Sequence, residues 1–108
     1  MQVDFVKHIN RDKKNRMEFL LCNYPYADGS DWLAKFFEKE NGLHVTEKTD
    51  GIYYSIIKAY KNDIEYTFMW HEDIGNLAYC MPQSPENNKN LENELKAAIK
   101  TLNKLLKK

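Results

Sequence analysis

The chain has 108 residues, 43% of them apolar and 30% charged, with sixteen basic side chains balancing sixteen acidic ones. That length fits one domain and leaves no room for two, so residues 1–108 are read as a single unit whose composition excludes wholesale disorder. A net charge of zero removes the simplest case for nucleic-acid binding, which wants a surplus of Lys and Arg.

Residues 2–9 suit either a strand through Val3, Phe5 and Ile9 or a helical turn through Phe5, Val6 and Ile9. Residues 10–16 form a polar, basic loop. Residues 17–24 are a short apolar run that reads as a strand buried on both faces, and therefore central. A helix follows, capped by Asp28 or Ser30, with Trp32, Leu33, Phe36 and Phe37 on one face. Gly42 supplies its left-handed end, with Leu43 making the accompanying apolar contact.

Three strands are predicted next, at about 43–48, 52–60 and 64–71. An Asn62-Asp63 turn pairs Lys61 with Ile64, so that Ile57 faces Phe68, Ala59 faces Tyr66 and Ser55 faces Trp70. This puts Tyr53, Ile57, Tyr66, Phe68 and Trp70 on the core side. A three-residue Thr49-Asp50-Gly51 loop, with Gly51 left-handed, brings Leu43 and Val45 to the same side. Residues 77–81 make a further strand after a Gly75-Asn76 turn, and Pro82 ends it. Ser84-Pro85-Glu86 is a strong helix start. Leu91, Leu95, Ala98, Ile99, Leu102, Leu105 and Leu106 form the stripe of a long C-terminal helix. The fold class is α+β: an antiparallel sheet of about five to six strands, one short inserted helix, and a long amphipathic helix packed on it.

The same register gives the sheet a second face carrying His44, Thr46, Tyr54, Ile56, Lys58, Tyr60, Glu65, Thr67, Met69 and His71. Its mixture of tyrosine, methionine and hydrogen-bonding groups suits protein contact, unless the first helix or the N-terminal segment covers it. His44 and His71 share that face at about 12 Å, too far to hold one zinc comfortably. Cys22 and Cys80 read as buried reduced thiols, with no base placed beside either. No paired carboxylates or glycine-rich phosphate loop emerge, so no catalytic residue, metal or cofactor is implied. Arg11, Lys13, Lys14 and Arg16 form the densest basic cluster, without interleaved aromatics for base stacking. Asp63, Glu65, Glu72 and Asp73 gather at hairpin ends, where a shared cluster would attract a basic partner. The N-terminal segment has no apolar core for a signal peptide, and no stretch has the length of a membrane span. A cytoplasmic location without membrane attachment is expected.

In size and composition the chain resembles the small bacterial immunity proteins that neutralise toxins of contact-dependent growth inhibition. That resemblance rests on no motif and carries over no functional residue. It implies a stoichiometric ligand, made in the toxin-producing cell, that occludes a toxin's active site. Against a nuclease with a basic cleft, the contacts would be Tyr54, Tyr60, Asp63, Glu65, Met69, His71, Glu72 and Asp73. The expectation is a non-enzymatic protein-binding module, as monomer or weak homodimer. The alternatives are a nucleic-acid-associated protein using Arg11, Lys13, Lys14 and Arg16, or an enzyme of unrecognised type involving His71 or Cys80.

Overall fold

The computed structural model describes residues 2–107. Six strands form one antiparallel sheet: β1 (Asp4–Asn10), β2 (Arg16–Cys22), β3 (His44–Asp50), β4 (Tyr54–Lys61), β5 (Ile64–His71) and β6 (Gly75–Met81). Helix α1 (Gly29–Asn41) lies between β2 and β3, and α2 (Pro85–Leu106) follows β6. The spatial order is β1-β2-β6-β5-β4-β3. The chain makes one hairpin, crosses the sheet through α1 to the far edge, and meanders back until β6 docks beside β2. Residues 2–9 thus resolve as strand, and β2 is an inner strand.

Both helices pack on the same side. Phe19, Leu21, Ile57, Ala59, Phe68, Ala78 and Cys80 project there, against Leu33 and Phe37 of α1 and Leu91, Leu95, Ala98, Ile99 and Leu102 of α2. Ala78 and Cys80 are small, which leaves room for α2 over β6. Leu105 and Leu106, expected to continue the stripe, are half-exposed, because the helix has run past the core there.

The β4–β5 hairpin has the predicted register, and Asn62 and Asp63 both take positive φ, as a tight type I′ turn demands. The β3–β4 connection differs. Asp50 pairs with Ser55, so β3 runs longer than expected and the loop holds Gly51, Ile52 and Tyr53. Gly51 is not left-handed, and Tyr53 is exposed rather than in the core. Val45 still reaches the core side because a bulge at Thr46 shifts the register between Val45 and Glu47. One extra residue does the work assigned to the loop. The turn before β6 lies at Glu72–Ile74, while Asn76 is inside the strand.

Two caps were predicted, and they fared differently. Ser84 Oγ accepts from the Asn87 N–H at 3.0 Å with Pro85 at the first helical position, as expected. At α1, Asp28 sits at the cap position but makes no capping bond; its carboxylate accepts from the Tyr24 hydroxyl instead. Ser30 is buried within the helix and donates to Asn76 Oδ1 at 2.9 Å. Asn76 Nδ2 in turn donates to the Tyr24 and Tyr26 carbonyls. This buried amide clamps the segment that turns the chain into α1. Gly29 is required there, since a Cβ would lie 2.3 Å from Asn76 Nδ2.

The sheet edges are guarded. Just before β1, the Asn103 side chain from α2 accepts from Val3 N–H at 2.8 Å and donates to Val3 C=O at 3.0 Å, satisfying the backbone of that one residue. Lys7 of β1 also pairs with Glu92 of α2 at 3.0 Å. The β3 edge carries the bulge and a charged, exposed run. Among the described residues no helix is long and apolar enough to cross a membrane.

Candidate functional site

With both helices on one side, no helix among the described residues covers the other face of the sheet. Residues paired across an antiparallel ladder point to the same side, so the register maps this face in rows. Its middle row is Val6–Leu20–Leu77–Met69–Ile56, an unbroken apolar line over five strands. Leu77 is buried by its neighbours, Val6 is 52% exposed, and the other three are half-buried. Such a line has no partner within the described residues, although it is the composition that a core face would use.

Polar rows flank it. On one side Arg16 lies flat on the Tyr79 ring, its guanidinium carbon 3.6 Å from the ring centroid. Its Nε and Nη2 donate to Glu18 Oε2 at 3.0 and 2.6 Å, and Asn10 Nδ2 donates to the same oxygen at 3.1 Å. Glu18 is buried, and a buried carboxylate is tolerable only with such donors. The three contacts hold Arg16 and Tyr79 rigid, so a partner meeting them loses little side-chain freedom. On the other side of the row lie Tyr54 and His71, which pair across β4 and β5. The Asp73 N–H donates to His71 Nδ1 at 3.1 Å, leaving Nε2 as the donor of the neutral ring. At the far end of β5 the Tyr60 hydroxyl donates to the Glu65 carboxylate, which raises the Tyr60 phenol above its ordinary pKa.

Tyr54, Tyr60, Glu65, Met69 and His71 therefore share the open face, as the sequence indicated. The four acids do not gather. Asp63 and Glu65 lie at one end of β5, and Glu72 and Asp73 lie beyond the other, so the acidity forms two separate rims. The basic group also divides. Arg11, Lys13 and Lys14 are exposed at the β1–β2 connection, while Arg16 is turned onto Glu18 and Tyr79. His44 and His71 stand at opposite ends of the sheet, at roughly 22 Å by strand geometry. The lengthened β3 carries His44 beyond the 12 Å that the shorter register gave.

Sequence reasoning missed the β1–β2–β6 half of the face: Val6, Arg16 as a stacked group, Glu18, Leu20, Leu77 and Tyr79. The alternation was visible in each segment. Which strand neighbours which was not.

Cys80 lies on the helix side, wholly buried, and burial pushes its thiol up to about 11, so it holds no thiolate at neutral pH. Cys22 is half-buried on the open face rather than in the core, at the end of β2. Clefts of about 650 and 550 Å3 open beside the helices, one past Trp32 and Phe36, the other between β1 and Lys96, Lys100 and Lys104. Neither is lined by His71 or Cys80. Compared with known proteins, the chain matches no family model, and no curated protein or solved structure is significantly similar to it.

Proposed function

We propose that the chain is a non-enzymatic protein-binding module whose contact surface is the uncovered sheet face. The observation that carries this reading is the apolar row across five strands, left bare where a second layer would normally lie. Tyrosines at 54, 60 and 79 and the fixed guanidinium of Arg16 surround it, which is the chemistry enriched where binding energy concentrates. The β3–β5 half is acid-rich, with Glu47 and Glu65 on the face and Asp63, Glu72 and Asp73 at its ends, against Lys58 on the face and Lys61 at the tip. That balance favours a basic partner. Together with the resemblance in build, it supports an immunity protein acting in the cytoplasm on a nuclease-type toxin, whose phosphate-binding cleft must be cationic.

The reading predicts that a neighbouring gene encodes a large secreted protein with a toxic C-terminal region, and the test is co-expression of that region with this chain. Restored growth and a tight one-to-one complex are expected. Met69→Lys and Tyr54→Ala should each weaken the complex by about 2 kcal/mol, roughly thirtyfold, while the fold persists. Failure to protect the cell, or a complex indifferent to both substitutions, would overturn the assignment.

A further inference from the structure

The open face is self-complementary about β6, and we infer that in the absence of another partner it pairs with a second copy of this chain. The inference goes beyond the proposed function and does not depend on it. Leu77 on β6 is the midpoint of the apolar row, with Leu20 and Val6 to one side and Met69 and Ile56 to the other. Consider a two-fold axis running along β6, between two copies laid face to face. It exchanges β2 with the partner's β5 and β1 with the partner's β4, and keeps position along the strands. Leu77 then meets its own symmetry mate, Leu20 meets Met69, and Val6 meets Ile56.

The polar rows obey the same operation. Continuing the β2–β6 register, Arg16 lies beside Met81, and Glu65 pairs with Met81 from the opposite side. The axis therefore sets Arg16 against the other copy's Glu65. Asp4, paired with Cys22 one strand from Gly75, is set against Tyr54, paired with His71 on the other side of Gly75. At the sheet's end, the β1–β2 connection with Arg11, Lys13 and Lys14 is one and a half strand spacings from β6. The β4–β5 tip with Asp63 lies as far on the other side. A connection of net positive charge thus faces, twice, a tip in which Lys61 offsets Asp63, so that Glu65 beside it supplies the acid facing Arg16. Charge complementarity of this kind orients a pair and opposes other alignments.

The area suffices. Five strands at ~4.8 Å, each about seven residues long at ~3.3 Å, offer roughly 550 Å2 per copy and 1,100 Å2 in total. Specific interfaces need about 1,000 Å2, and those near that limit are weak and reversible. Two such faces would stack with strands about 30° apart, as in aligned sheet sandwiches.

The experiment is sedimentation equilibrium of the purified chain alone across the micromolar range, so its failure leaves the partner reading standing. A reversible dimer is expected. Val6→Lys and Ile56→Glu should each weaken it at least about tenfold, and the two combined in one chain should recover it. Within a chain these positions are four strands apart, ~19 Å, so recovery reports contact between copies. Circular dichroism verifies the fold of each variant. As a readout free of inserted charge, Val6→Cys with Ile56→Cys should be cross-linked between copies by a bismaleimide of about 10 Å span, matched to sheets stacked ~10 Å apart, well above the level that the parent, with its Cys22, produces. A strictly monomeric parent chain, a dimer that neither charged variant weakens, loss without recovery in the combination, or no excess cross-linking would each defeat the inference.

Discussion

Thr67 lies at the centre of the sheet, 1% exposed, with its hydroxyl oxygen lacking any hydrogen-bond partner. A buried hydroxyl without a partner costs about 1–3 kcal/mol in desolvation, whereas a methyl of the same shape costs nothing comparable. Valine is equally suited to a strand. Thr67→Val should therefore stabilise the protein by about 1 kcal/mol, raising the melting temperature by roughly 4 °C. A lower melting temperature in calorimetry would mean that the oxygen is satisfied after all. Glu18 is the counter-example on the same face: equally buried, yet provided with donors from Arg16 and Asn10. Neither fact was legible in the sequence. Alternation placed Thr67 on the second face, but which groups reach it depends on the strands that flank β5.

At the scale of elements, α2 is tied to β1 by Glu92, which is held by Lys7 at 3.0 Å, with Lys89 and Lys96 at 3.8 Å. The Lys7 ammonium, donating a hydrogen bond, holds the Glu92 carboxyl below its ordinary range, with Lys89 and Lys96 adding to the effect. A carboxylate depressed in the folded state stabilises it above the ordinary value of about 4.3, and that contribution fades as pH falls through the folded value. Glu92→Gln should thus lower the urea midpoint at pH 7 and match the parent once the pH is acid enough to protonate Glu92. An equal deficit at pH 7 and pH 2 would show that lost packing, not charge, is responsible. Much at this scale was readable in advance. The Ser84-Pro85 start of α2, the Gly42 end of α1 and the Asn62-Asp63 turn are local chemistry, decided within a few residues. The cap of α1 was not, because Asn76, far along the chain, claims Ser30 and the preceding carbonyls.

For the whole molecule, the two proposals make the second copy and the toxin domain competitors for one face. Titrating the toxin domain into the chain should convert dimer to a one-to-one complex, with apparent affinity falling as chain concentration rises. A species containing two copies and a bound toxin would refute that exclusivity. The bare face itself follows from topology. Helix α1 carries the chain across the core side to the far edge, and α2 returns over the same side, so nothing among the described residues is left to cover the other.

The amino-acid order alone determined the element types after residue 16, the β4–β5 register, the long helix stripe and the existence of two unlike sheet faces, because each depends on neighbours within one turn or hairpin; residues 2–9 it left open between strand and helix. Tertiary structure decided the rest. It put β6 between β2 and β5, drew five separate apolar residues into one row, split the acids that sequence proximity had grouped, and replaced a loop with a bulge. Those outcomes depend on pairing between segments distant along the chain, and side-chain alternation within a strand says nothing about which strand lies beside it.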